Sequence, residues 1–238
     1  MHCSQHTGEL QDIDSAISHL QKVVESSPSG HANFANLLSN LGTSYACHFE
    51  CTGELQDINC AISHYKKAAK STPFGYAKLA SQLNNLGSSY GCRSQCTREL
   101  QDIDFSISYY QKAVESTPSV YAKFANMLSN LGISYSRRFE HTGDLQDIDC
   151  AISYHRKAVE STPSGHSNLA NWLNSNLGTS YGYCFKCTGE INQLEDVHRC
   201  TYVVNFKHLD WRNHIGLWGT WPLFILYYYD RLFMGYNI

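Results

Sequence analysis

The sequence has no long run of charge of either sign. Its 238 residues include 18 Lys and Arg against 21 Asp and Glu, and the formal net charge is −3. A protein that grips nucleic acid needs clustered basic residues to neutralise phosphates. The even mixture of charges therefore argues against a nucleic-acid partner.

Long apolar segments are equally scarce. Residues 1–6 contain no apolar stretch, so we expect no signal peptide. The most apolar segment, residues 215–229, is 15 residues long and contains Pro222, whereas a membrane-spanning helix needs about 20 apolar residues. We therefore expect a cytoplasmic protein with no membrane partner, in which the ten cysteines are reduced.

Proline is rare, and its positions reveal a repeat. Four of the five prolines are spaced 45 residues apart, at Pro28, Pro73, Pro118 and Pro163. The phrase Thr-Gly-Glu-Leu-Gln-Asp-Ile, or a close variant of it, recurs with the same spacing at Thr7, Thr52, Thr97 and Thr142. A last, partial copy of the phrase begins at Thr188, 46 residues after Thr142.

Each unit contains two stretches with helical periodicity. In one unit the first stripe consists of Ala125, Leu128, Leu131, Gly132, Tyr135 and Phe139. The second stripe consists of Leu145, Ile148, Ala151, Ile152, His155, Ala158 and Val159. We expect Thr142 to cap the second helix, Asp144 to lie in its first turn and Pro163 to close it. Because two short helices cannot bury their stripes alone, neighbouring hairpins must stack into one continuous core.

These packing positions resemble the tetratricopeptide repeat (TPR). Residues 86–90, Leu-Gly-Ser-Ser-Tyr, match the run in the first helix of that family, and Ala61, Tyr65, Ala68 and Pro73 match its second helix. The usual unit has about 34 residues, and the extra length here falls in the connections or in lengthened helix ends. The resemblance implies an all-α, right-handed solenoid of stacked antiparallel hairpins. The long units also resemble arrays in large fungal proteins, some of which end in a caspase-like protease domain of the CHAT type.

The array is predicted to cover residues 1–191. Its first unit is expected to lack the first helix and to begin with a second helix over residues 10–26. In the last unit an inserted residue near positions 174–175 is expected to disturb the first helix, because one residue rotates a helix face by about 100°. Residues 192–238 form a divergent, aromatic-rich tail with three interpretations: non-native sequence from a frameshift or retained intron, a hydrophobic cap, or an interfacial membrane segment.

A column of asparagines marks the predicted binding face. In each unit an Asn precedes the Leu-Gly pair of the first helix, and further Asn residues lie one turn earlier: Asn40, Asn85, Asn130 and Asn176, then Asn36 and Asn126. In tetratricopeptide arrays the first helix lines a concave groove, where an Asn amide can donate to and accept from a peptide backbone. The alternative is a hydrogen bond between helices that fixes repeat packing. Either way, the polar and nearly neutral face argues against a strongly charged ligand.

Cysteine and histidine cluster at the hairpin turns without predicting a metal site. The column before Thr-Gly contains only zinc-ligand types, namely His6, Cys51, Cys96, His141 and Cys187. In the two neighbouring columns, however, some units have arginine where others have Cys or His: Arg93, Arg137 and Arg138. A zinc site would not alternate with Arg, so drift from a basic turn is the favoured interpretation.

Nothing in the sequence predicts catalysis or a cofactor. Histidines lie on the predicted helices, but no nucleophile is prepared beside them. Three features are instead predicted to be core: the position that His155 shares with Leu20, Tyr65 and Tyr110; the ladder of Tyr45, Tyr90, Tyr135 and Tyr181; and the Leu-Gly glycines, which allow close helix packing.

The sequence therefore predicts a non-enzymatic scaffold that binds a peptide or helix of another protein in a concave groove. Two alternatives stay open. One is a regulatory repeat fragment of a larger CHAT-protease-type signalling protein. The other is a metal-binding repeat protein.

Overall fold

The computed structural model describes residues 3–28, 31, 33–73, 77–118, 123–162 and 176–189. These residues form eight α-helices and no strand. The helices are α1 (Cys3–Ser26), α2 (Phe34–Thr52), α3 (Leu55–Lys70), α4 (Ala77–Thr97), α5 (Leu100–Glu115), α6 (Phe124–Thr142), α7 (Leu145–Glu160) and α8 (Gly178–Thr188). None of these helices combines the length and the apolarity that crossing a bilayer would demand.

The helices pack in chain order as stacked hairpins. α2 packs on α3, α4 on α5, and α6 on α7, and the chain between the helices of each pair is only two residues long. Such short connections make the two helices antiparallel. Each hairpin then packs on the next through α3 with α4 and α5 with α6, while α1 packs on α2 and α7 on α8. The predicted all-α array of hairpins is confirmed.

A left-handed residue makes each tight hairpin turn. Gly53 and Gly143 have φ of +73° and +71°, and Arg98 occupies the same position with φ of +58°, while Gly189 caps the end of α8 with φ of +70°. The backbone N–H of Gly143 donates to the Phe139 carbonyl at 2.7 Å. This left-handed cap satisfies a carbonyl that the end of the helix would otherwise leave without a partner.

The expectation that Thr142 caps α7 is wrong. Thr142 is the last residue of α6, and its hydroxyl donates to the Arg138 carbonyl at 2.9 Å. The N-cap of α7 is Asp144, whose carboxylate accepts the Gln146 backbone N–H at 3.0 Å. The threonine hydroxyl instead accepts the Asp144 backbone N–H at 3.2 Å and so stabilises the turn.

The Leu-Gly glycines allow the predicted close approach of the two helices in a hairpin. A Cβ added at Gly42 would lie 3.0 Å from the ring of Tyr65, and one added at Gly87 would lie 3.0 Å from the ring of Tyr110. At Gly132 the ring of His155 is closer still. Because those three rings are 2–5% exposed, the prediction that their shared position is core is confirmed for all three.

Most of the tyrosine ladder is also core, but one position of the second-helix stripe is not. Tyr90, Tyr135 and Tyr181 are buried, and Tyr45 is half-buried. Leu145, which we placed in the stripe, is 46% exposed. The equivalent leucines at the starts of α3 and α5 are exposed in the same way: Leu55 and Leu100.

The two ends of the array differ from the expected pattern. α1 begins at Cys3 and continues through Thr7 and Gly8, rather than beginning near residue 10. The proposed insertion at residues 174–175 lies outside the described residues, as does the tail, 192–238. Asn176 and Leu177, which follow the insertion, are π-helical, the geometry by which a helix accommodates an extra residue.

Candidate functional site

All six asparagines of the predicted site lie on the first helices of their hairpins or, for the last, directly before α8. Asn40 and Asn126 are exposed, whereas Asn36, Asn85, Asn130 and Asn176 are half-buried. First helices of adjacent repeats also touch directly, as α4 and α6 do. The column therefore follows the line along which first helices meet.

Two amides of the column bridge adjacent repeats. Asn130 Nδ2 donates to Asn84 Oδ1 at 3.3 Å, and Asn176 Nδ2 donates to Ser129 Oγ at 2.8 Å. These are the bonds that the packing alternative anticipates. Since an amide has two donor hydrogens and an acceptor oxygen, one bond of this kind leaves further capacity for a ligand.

The other members of the column have different surroundings. Asn85 forms a hydrogen bond with the hydroxyl of Tyr65, which Thr43 Oγ1 also contacts at 2.9 Å. Burial raises the pKa of Tyr65, and these two hydrogen bonds offset part of that rise. Asn36 Nδ2 donates to Asn33 Oδ1 at 3.4 Å beside the start of α2. The column is thus one face with several local environments.

A cleft of about 200 Å³ opens between α2 and α4 and contains one of these asparagines. Its walls come from the first helices of adjacent repeats, and α3 forms its floor. The lining residues are Thr43, Ala46, Cys47, Phe49 and Glu50 of α2, Ile58 and Tyr65 of α3, and Asn85, Ser88, Ser89 and Cys92 of α4.

An ionic clamp repeated along the array was missed by sequence reasoning. Arg138 of α6 binds Asp147 of α7 through two hydrogen bonds, of 2.9 and 2.6 Å, and donates to Asp104 of α5 at 3.0 Å. Arg93 of α4 binds Asp102 of α5 in the same bidentate way, at 2.8 and 2.6 Å, and Asn59 of α3 at 2.8 Å. Each arginine joins both helices of its own hairpin to the second helix of the hairpin before.

In the first described hairpin, α2 with α3, a histidine takes the place of the clamp arginine. His48 Nδ1 lies 2.7 Å from Asp57 Oδ2, and His48 Nε2 lies 3.2 Å from Asp14 Oδ1. The column His48, Arg93, Arg138 is therefore structural, and it is the same column that we assigned to a drifting basic turn. The available signal was the acidic column Asp57, Asp102 and Asp147, each nine residues after its partner.

The thiols near the cleft are held in their protonated form. Burial raises the pKa of Cys47, and Glu50 and Cys51 add to that rise. Burial also raises the pKa of Cys92. Across the described part of the chain no group of three or more His, Cys, Asp or Glu side chains is placed to hold a metal ion.

Comparison with solved structures identifies the fold. A kinesin-light-chain-like protein of Podosopora anserina with nearly identical TPR-like repeats has a TM-score of 0.58 and 12% identity, with 84% of this chain and 93% of that chain covered. BtubC (BKLC) from P. vanneervenii has a TM-score of 0.49 and 16% identity over 84% of this chain and 90% of its own. No family model and no curated protein matches the chain.

The chain therefore has the fold of a TPR-like repeat protein. At such low identity the first of these likenesses establishes the fold alone. The resemblance to long-unit fungal arrays stays a prediction.

Proposed function

We propose that the face formed by the first helices binds an extended segment of another protein. In the solenoids that this fold resembles, that face is concave. The observation that carries the proposal is the asparagine column, which lines the junction of the first helices and at Asn85 enters the cleft. An amide that donates and accepts can pair with a peptide backbone whatever its side chains. A cytoplasmic location and the absence of catalysis are part of the same proposal.

Two members of the column decide the test. We expect Asn85→Ala combined with Asn130→Ala to abolish capture of peptides selected from a display library against the unaltered chain, with helicity unchanged by circular dichroism. The matched control is Ser63→Ala combined with Ser153→Ala, because these serines are exposed on second helices and should not affect capture.

A stability measurement separates binding from packing. Asn130→Ala also removes the bond to Asn84, so its free energy of unfolding is measured beside its peptide affinity. Loss of stability with full affinity would support the packing alternative and overturn the groove assignment. Loss of affinity at unchanged stability supports the proposal.

A further inference from the structure

The space equivalent to the α2–α4 cleft is occupied one repeat later by an arginine of the chain itself. Arg137 of α6 donates from Nη1 to the Gly91 carbonyl of α4 at 3.4 Å. Burial raises the pKa of Cys92 and of Tyr110, and the nearby charge of Arg137 offsets part of both rises. Cys92 and Tyr110 lie one 45-residue period after Cys47 and Tyr65, which line the cleft. The Arg137 guanidinium therefore fills the matching space between α4 and α6.

The cleft is open because a short side chain stands where the next repeat has arginine. Cys92 precedes Arg137 by one period, and it lines the cleft without crossing it. Glu50 forms part of the same wall, and its negative charge contributes to the raised pKa of Cys47, Cys92 and Tyr65. No lysine or arginine is among the lining residues. The α2–α4 cleft thus resembles the space that Arg137 fills between α4 and α6. It differs in having the Glu50 carboxylate, where the next repeat has Gln95.

We propose that the α2–α4 cleft binds the side chain of a single arginine from an extended partner segment, with Glu50 as its counter-charge. This proposal rests on the proposed function and names one specificity of the same face. The volume of about 200 Å³ is below the range of roughly 300–1,000 Å³ typical of drug-sized ligands, so it suits one side chain. A guanidinium presents five N–H donors in a planar fork. The carboxylate of Glu50 on α2 and the amide of Asn85 on α4 supply polar groups from the two opposite walls.

The binding test uses three synthetic peptides and the full chain. The peptides are N-acetylated, C-amidated Gly/Ser sequences of equal length with arginine, citrulline or lysine at the centre. We expect the arginine peptide to shift the NMR amide signals of α2 and α4. Citrulline, which keeps the shape but lacks the charge, should bind at least about tenfold more weakly, as expected for loss of a charge-assisted hydrogen bond. Equal binding of arginine and citrulline, or no shift at millimolar arginine peptide, would overturn the proposal.

Substitutions within the cleft locate the site. Cys92→Arg should place a guanidinium there as Arg137 does one repeat later, and should abolish binding of the arginine peptide. Ser153→Arg adds the same guanidinium at an exposed position of α7, outside the cleft, and is the matched control, which should bind normally. Glu50→Gln should remove the difference between arginine and citrulline. Unchanged arginine binding by the Cys92→Arg variant would overturn the assignment.

The same panel distinguishes this inference from the proposed function. Suppose that peptides bind with no preference for arginine and lose affinity in the Asn85→Ala and Asn130→Ala variant. This result would overturn the arginine site and support the groove. Arginine-dependent binding that survives in the Asn130→Ala single variant, whose substitution lies outside the cleft lining, would overturn the asparagine groove and support the cleft alone.

Discussion

At the residue scale, each arginine clamp joins three helices, whereas an asparagine such as Asn130 joins two. Asp147 is 3% exposed, and its two carboxylate oxygens both accept from Arg138. The hydrogen bonds to Asp147 and Asp104 raise the pKa of Arg138. Burying a carboxylate is costly unless it is paired, so each clamp stabilises the contact of three helices only while its arginine is present.

Loss of that arginine is the first prediction. We expect Arg138→Ala to lower the free energy of unfolding by about 2–4 kcal/mol, because a buried carboxylate is left without its partner. Urea unfolding monitored by circular dichroism measures the change. The double variant Arg138→Ala with Asp147→Ala is the control and should be less destabilised than the single variant. An Arg138→Ala variant as stable as the unaltered chain would show that the clamp does not stabilise the array.

The second residue-scale prediction concerns acid stability. Burial lowers the pKa of His155 from 6.5 to about 4. Between these two pH values His155 is protonated in the unfolded chain but neutral in the folded chain. The free energy of unfolding therefore falls as the pH drops. This effect on the free energy of unfolding is absent above pH 6.5 and grows as the pH falls towards 4. The loss of stability at pH 4.5 is about 2–3 kcal/mol.

His155→Tyr should remove that effect, because tyrosine fills the same position at Tyr65 and Tyr110. The measurement compares the free energy of unfolding at pH 7.5 and 4.5 in both proteins. The substituted chain should lose less stability on acidification by about the stated amount. An equal loss in both proteins would mean that His155 does not titrate with a lowered pKa in the folded state.

Sequence reasoning found residues whose role lies within one helix stripe and missed those whose role needs three helices. The rings of Tyr65, Tyr110 and His155 were predictable because a fixed offset from the Leu-Gly pair sets their position. Arg93 and Arg138 were not, because their partners lie nine residues ahead and 34 residues behind. No helical or strand period relates such separations, so the repeated nine-residue offset could be interpreted as a contact only once the hairpins were seen to stack.

At the element scale, the hairpin turn imposes a left-handed residue between the two helices. Two of the three described turns use glycine there, and the third uses Arg98 at φ +58°. A Cβ built on Gly143 meets nothing within 4 Å, so the cost of a side chain at this position is one of backbone conformation alone.

Exchange of residues between two turns tests this account. We expect Arg98→Gly to raise the free energy of unfolding by about 0.5–1 kcal/mol, because glycine adopts the left-handed region without strain. Gly143→Arg should lower it by a similar amount. Thermal unfolding of both variants beside the unaltered chain gives the comparison, and changes of the same sign in the two variants would refute the backbone explanation.

The element boundaries show where the periodic pattern is insufficient. Leu145 continues the apolar stripe of α7, yet it lies one residue after the N-cap and is 46% exposed. The stripe identified the correct helix face, but it does not say where the neighbouring helix stops covering that face. The Thr142 cap was misplaced for a similar reason, since Asp144 also carries a side-chain acceptor and lies directly before the helix.

At the scale of the whole molecule, the repeated hairpins explain both the stability and the proposed binding face. Each described helix packs mainly on its neighbours in the chain, and stability in such arrays is approximately a sum over repeats and their interfaces. The fold class was predictable because four units share their packing positions. The cleft was not, because it depends on one column of side chains, in which Cys92 leaves the space open and Arg137 fills the equivalent space one repeat later.

Distances between equivalent positions test the stacked array most directly. Ser18, Ser63, Ser108 and Ser153 occupy one position of the second helices, 45 residues apart. Because ten native cysteines complicate thiol labelling, pairs of these serines are replaced by an unnatural amino acid that carries a spin label. Pulsed electron resonance then measures the distances from position 18. The account predicts that these distances increase in regular steps through positions 63, 108 and 153. A distance from 18 to 153 no longer than that from 18 to 63 would contradict it.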